Sequence, residues 1–185
     1  MRDDLAQHAL GDGLAKPASH GLVILLRVAQ AVLVASIALF SVIAILLLVP
    51  DGPLHSLFPQ GEGEPMPPYG RIAFACFASA VTAAGWFLVL NMLAKIVRTV
   101  QAGDPFVEAN IGRLRGMWIL IAAIEVFRMV IYSAADIALN GTSVTPAETG
   151  IDIRIGTWFL VLVIAVLSEA FRQGAEMRRE QELTI

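Results

Sequence analysis

The sequence predicts an all-α integral membrane protein, a four-helix bundle of two antiparallel hairpins with both termini in the cytoplasm. Three observations predict it. Of 185 residues, 57% are apolar and 16% charged, and the mean hydropathy is +0.71; a soluble domain of this length needs more polar surface than that. The excess is gathered into long runs at about residues 21–49, 72–98, 117–139 and 155–171, and a helical crossing takes about 20 residues. Lys and Arg cluster on alternate sides of these runs, the pattern that orients membrane proteins. The runs form a single membrane domain over residues 21–172, between an N-terminal tail (1–20) and a helical C-terminal tail (173–185), both expected in the cytoplasm.

Met1 to His20 is polar and mixed in charge, and Gly11 and Gly13 favour a loose tail. The charges there are mostly acidic and the apolar run that follows is too long for a signal peptide. In the first span Val28 to Val49 is broken only by Gln30, Ser36 and Ser41, Arg27 sits just inside its start, and Pro50 ends it. The loop from Pro50 to Tyr69 holds Pro50, Pro53, Pro59, Pro65, Pro67 and Pro68 and no Lys or Arg. Prolines at that density exclude a helix.

The second span, Ile72 to Leu90, is uncharged and continues as helix through Asn91, Lys95 and Arg98. Cys76, Ala80 and Ala84 form a stripe of small residues four apart, which lets two backbones approach closely in lipid. Two readings stand for it: packing within this chain's own bundle, and the seam of a homo-oligomer. Gly103 suits the residue that ends the second helix. Asp104 followed by Pro105 then reads as an N-cap and first helical position. Over 105–115 a helical wheel gathers Phe106, Val107, Asn110, Ile111 and Leu114 on one face, opposite Glu108, Gly112 and Arg115. That pattern predicts an amphipathic helix lying on the membrane surface.

The third span carries Glu125, Arg128 and Asp136. A second polar loop, Asn140 to Ile153, also lacks Lys and Arg, and its Asn140-Gly141-Thr142 reads as a turn rather than a glycosylation acceptor. The fourth span, Ile155 to Phe171, is at the short limit for a crossing. Its helix is expected to run on into the tail, supported by Arg172 with Glu176, Arg178 with Glu182, and Glu176 with Arg179. Gly174 weakens it locally.

Arg2, Lys16, Arg27, Lys95, Arg98, Arg113, Arg115, Arg172, Arg178 and Arg179 flank one side of the spans, and only Arg71 and Arg154 flank the other. The richer side is cytoplasmic. Arg27, Asn91, Glu125, Arg128 and Glu169 then all fall in the cytoplasmic half of the bundle, where ionisable groups face inward and pair. Glu125 and Arg128, three apart, pair directly. Arg27 is expected to meet Glu169 or Glu125, with Asn91 beside it. Such a network is either a lattice that fixes helix register or a relay and solute site, with Glu125 or Glu169 accepting protons and Arg128 contacting an anion.

Other chemistry finds little footing. The net charge is -3, so bulk charge does not favour direct nucleic-acid binding. His8, His20 and His55 are scattered and Cys76 is alone, so no metal site is expected. No GxxxxGK[ST], GxSxG or HExxH occurs. The expectation is a non-enzymatic protein without a cofactor.

Two segments carry a resemblance: AGDPFVEANIGRLR after the second span, and LSEAFRQGAEMRREQELTI at the C-terminus. Gly103, Asp104, Pro105, Phe106, Asn110, Leu114 and Arg115 in the first, with Glu169, Phe171, Arg172, Gly174, Glu180, Glu182 and Leu183 in the second, resemble the domain of unknown function 2975 family over roughly residues 25 to 185. The resemblance implies a small bacterial four-span protein of the inner membrane, with no activity to carry over. It also implies a membrane component paired with a small helix-turn-helix regulator. The functional expectation is therefore a membrane sensor or regulator whose cytoplasmic face docks a protein partner. The alternative is a small transporter or channel component that uses the charged network.

Overall fold

The computed structural model describes residues 2–49, 52, 54, 68–140 and 154–183, and within these the side chains of 2–20, 68, 132, 135–140 and 181–183 fall outside the description. Most of both proline-rich and polar loops, the Asn140-Gly141-Thr142 turn, and the side chains of Asp136, Glu182 and Leu183 lie outside it.

Four helices follow one another along the described chain: α1 (Arg2–Leu48), α2 (Pro68–Gln101), α3 (Glu108–Asn140) and α4 (Ile155–Leu183). α1 begins well before the first apolar run, so of the loose tail expected over residues 1–20 the described part, 2–20, is helical instead. Extending a helix that already has a nucleus adds one hydrogen bond per residue, so Gly11 and Gly13 weaken this part without ending it. Pro50 follows the last turn of α1. α2 opens on Pro68, a position where the missing N–H leaves nothing unsatisfied.

The end of α2 is a Schellman cap. Gly103 has φ 85°; its N–H donates to the Val100 carbonyl at 3.0 Å, and the Asp104 N–H donates to the Thr99 carbonyl at 3.2 Å. A left-handed residue there needs no Cβ, and glycine supplies that.

The separate surface helix expected over 105–115 does not form. Residues 104–107 make a turn, and α3 starts at Glu108 and runs unbroken through Arg115 and Gly116 into the apolar run. The reason lies in where the polar groups go. Asp104 spends its carboxylate on Arg178 rather than on capping N–H groups, and the Asn110 side chain holds the Pro105 carbonyl. Pro105 is thereby kept in the turn.

Among the described residues, three helices are long and apolar enough to cross a membrane: Gly21–Leu48, Tyr69–Gln101 and Ile155–Glu180. This is a multi-pass membrane protein with an all-α, four-helix architecture. α3, with Glu125 and Arg128 near its middle, is not among the three, so the four-span expectation holds in its coarser form.

α1 packs chiefly on α2, α3 on α4, and α2 joins the two hairpins by packing on α3. The core sits on that joint: Val89 and Ile96 of α2 meet Leu114, Met117, Ile121 and Ile124 of α3, with Val161, Ile164 and Phe171 of α4 against them. Gly85 leaves room there for Ile124: an added Cβ would stand 2.7 Å from the Ile124 side chain. Outward faces are apolar too: Leu25, Leu48, Phe159 and Val166 are all largely exposed. Lipid tails are as apolar as leucine, so a bilayer solvates such faces without penalty. In the small-residue stripe Ala80 is buried within the chain, while Cys76 and Ala84 are half-buried.

Candidate functional site

The two sequence motifs come together at one end of the bundle. The capped turn after α2 brings Asp104 and Phe106 against the C-terminal half of α4. Phe106 packs on Phe171 with ring centroids 5.4 Å apart, tilted by 45°. Offset aromatic contacts of this kind contribute roughly 0.5–1.5 kcal/mol beyond area burial. Gly174 makes room for them: a Cβ there would lie 2.8 Å from Cε1 of Phe106. One turn further, Arg178 Nη1 donates to Asp104 Oδ1 at 2.6 Å. Both of those side chains are about half exposed, at 53% and 46%, so the ion pair adds little energy, about 0.2–1 kcal/mol. Its contribution is to orientation: it closes a clasp between the interhelical turn and the C-terminal helix.

Beneath the clasp lies a polar knot centred on Asn110, which is 0% exposed. Its Nδ2 donates to Thr99 Oγ1 at 2.6 Å and to the Pro105 carbonyl at 3.0 Å. Its Oδ1 accepts from Arg113 Nη1 at 2.8 Å. Thr99 Oγ1 passes its own proton to the Ile96 carbonyl at 2.7 Å. A buried amide is tolerated only when its donors and acceptors are matched, and here both kinds are engaged. Leu114, one turn on, is buried in the core below.

The expected five-residue intramembrane network forms only in part. Glu125 and Arg128 pair as the spacing predicts: Nη2 to Oε1 at 2.6 Å and Nε to Oε2 at 3.3 Å, with side chains only 5% and 12% exposed. Glu169 does not join them. It is exposed on α4 and takes Arg172 at 2.6 and 3.0 Å and Gln173 at 3.2 Å from its own helix. Arg172 also holds Glu176 at 2.6 Å, the pair read from the i,i+4 spacing. Arg115 of α3 adds its charge to the field around Glu169. Arg27 is exposed on α1 and, among the described residues, forms no ion pair with Glu125 or Glu169. Asn91 is half-buried on α2 and hydrogen-bonds to none of them. A partner three residues away on the same helix costs less ordering than one across the bundle, so Glu169 and Arg172 satisfy each other locally.

Sequence reading missed Thr99, Gly85 and the Asp104–Arg178 contact. An i,i+3 spacing links Asn110 to Arg113 and was available as a signal. Nothing local links Asp104 to a residue 74 positions away. Among the described residues no group of His, Cys, Asp and Glu is placed to hold a metal ion.

These two motifs meet at one end of the helical bundle of a small multi-pass membrane protein, the interhelical turn packed against the terminal helix. The chain belongs to the family described as "Protein of unknown function (DUF2975)", which it matches over residues 14–185. No curated protein and no solved structure matches it.

Proposed function

We propose that this protein is a non-enzymatic sensor or regulator of the bacterial inner membrane, whose clasped cytoplasmic face docks a cytoplasmic protein partner. In this reading α3 is the fourth crossing, and its Glu125–Arg128 pair crosses neutralised. The basic residues around the clasp face the cytoplasm. The observation that carries the proposal is the clasp itself: Asp104 on Arg178, and Phe106 on Phe171 and Gly174, spend the inward side of both motifs on each other. Met177, Arg179 and Glu180 are left exposed around them on a braced helix. A braced surface loses less entropy on docking a partner than a loose tail does. The family resemblance makes a helix-turn-helix regulator the partner to test first, with nucleic acid contacted through it rather than by this chain. A homo-oligomer seam would have to use Cys76 and Ala84, because Ala80 is already buried inside the chain.

The experiment is recovery of cytosolic protein on the full chain in nanodiscs, read by mass spectrometry. A partner lost when residues 175–185 are removed supports docking; recovery unchanged by that truncation refutes it. The second reading, a transporter component, draws on the buried Glu125–Arg128 pair. Flux of protons, ions or amino acids in proteoliposomes that falls in Glu125→Gln at equal amounts of folded, reconstituted protein would favour it.

A further inference from the structure

A cavity between the two hairpins takes Ser36 of α1 and Trp86 of α2 into its wall, together with Arg71, Arg128 and Arg154. The face of the α1–α2 pair turned away from it is different in kind. Arg27 stands nine residues from Ser36 and Lys95 nine from Trp86, which is about half a revolution round each helix. On that face of α2, Phe77, Val81, Leu88, Asn91 and Lys95 recur at spacings of three, four and seven, and so form one row. Phe77, Val81 and Leu88 are exposed, as outward-facing residues of a membrane crossing are. Toward the clasp end the row turns polar: Asn91 is half-buried and Lys95 exposed.

The polar end of the row is unsatisfied. Among the described residues Arg27 and Lys95 form no ion pair and Asn91 no side-chain hydrogen bond, while Glu125 is held by Arg128 and Glu169 by Arg172. Arg27 lies inside the candidate span Gly21–Leu48 and is exposed there. A charge facing hydrocarbon is costly, so its head must reach the headgroup layer or an anion. Counted from the ends of α1 (Leu48) and α2 (Pro68), Arg27 lies roughly 9 Å deeper than Lys95, and Lys95 is level with about Gly21, so the site sits among described residues of α1. Side chains on a helix lean toward its N-terminus. The N-terminus of α1 is at the clasp end and that of α2 at the other. The Arg27 head therefore leans toward the clasp and the Lys95 head back toward Arg27, and the two cations close on one level beside Asn91.

We infer that this row holds an anionic phospholipid of the bilayer. Its phosphate lies between Arg27 and Lys95, taking the planar guanidinium edge and the ammonium, with the Asn91 amide as a further donor. Its acyl chains lie along Leu88, Val81 and Phe77. The inference stands whether or not the protein docks a cytoplasmic partner, because it uses neither the C-terminal tail nor the clasp. The probe protein is the full chain with Trp86→Phe, Trp118→Phe and Trp158→Phe, and with Leu88→Trp as its one tryptophan, reconstituted in phosphatidylcholine. Phosphatidylglycerol or phosphatidylcholine with brominated acyl chains is titrated in, and quenching of the tryptophan is read. Two basic groups at the headgroup level favour an anionic lipid by about tenfold, so phosphatidylglycerol is expected to reach half-maximal quenching at about one tenth the mole fraction that phosphatidylcholine needs. Arg27→Gln with Lys95→Gln is expected to make the two lipids equal. Lys95→Gln alone changes an exposed side chain and is expected to leave about a threefold preference; it carries the test if the double variant loses its helical circular dichroism. Val42→Trp in place of Leu88→Trp reports an exposed position near the far end of α1, away from these cations, and is expected to show no preference. Equal quenching by the two lipids at position 88, a preference unchanged in Lys95→Gln, the same preference at position 42, or displacement by inorganic phosphate at constant ionic strength overturns the inference.

Discussion

Asn110→Ala removes the centre of the knot that turns α2 into α3. The side chain makes three hydrogen bonds, at 2.6, 3.0 and 2.8 Å, from a position with 0% exposure. At a net value of about 1 kcal/mol each they sum to about 3 kcal/mol. Two of the partners soften the loss. Arg113 is half-buried and reaches water, and Thr99 Oγ1 keeps its own bond to the Ile96 carbonyl. The Pro105 carbonyl is the group left without that donor. The expected destabilisation is about 2–3 kcal/mol, which for a chain of this length lowers the melting temperature by roughly 4–12 °C. Asn110→Asp separates shape from chemistry. It is nearly isosteric and still accepts from Arg113, but it offers no donor to Pro105 and turns a carboxylate toward that carbonyl. It should be no more stable than the alanine variant at neutral pH. Thermal unfolding in detergent, followed by tryptophan fluorescence, reads both. A melting point within about 1 °C of the parent for Asn110→Ala, or a parent-like Asn110→Asp, refutes the claim that this amide holds the turn.

Glu125→Gln strips Arg128 of its buried countercharge and should cost about 3–5 kcal/mol, seen as failure to accumulate in membranes. Glu125→Gln with Arg128→Met should recover most of that if the pair is structural; continued loss of the double variant argues against it. Gly85→Val drives a side chain into Ile124 and should cost about 1–3 kcal/mol in thermal unfolding, with Ile124→Ala restoring part of it. A double-mutant cycle on Asp104→Asn and Arg178→Gln should return a coupling of only about 0.2–1 kcal/mol, vanishing in high salt. A coupling that is large or insensitive to salt would mean the clasp is less exposed than its geometry implies.

The parts of this protein that were legible in the sequence are those whose cause is local. Gly103 was readable as a helix stop because a left-handed residue is a demand on one position. Glu125–Arg128 and Arg172–Glu176 were readable because three- and four-residue spacings bring side chains together on any helix. The surface helix over 105–115 was misread for the complementary reason. Asp104-Pro105 is a strong local start signal, and it lost to two contacts the signal does not contain, Asp104 with Arg178 and Pro105 with Asn110. The five-membered charged network failed likewise. Counting depth along each helix does not say which way that helix is rotated. Arg27 and Glu169 turn outward while Glu125 turns in.

By itself the sequence determined the four long helices, the cap of α2 and the Glu125–Arg128 and Arg172–Glu176 pairs within single helices, because hydropathy and intrahelical spacing act over a few residues. Only the tertiary structure decided that the two motifs clasp one another, that Asn110 is buried and fully engaged, and that Arg71, Arg128 and Arg154 line one cavity. Those outcomes depend on how the two hairpins are rotated against each other. That rotation is fixed by the Gly85–Ile124 approach and the core around Ile121, contacts between residues far apart in the chain.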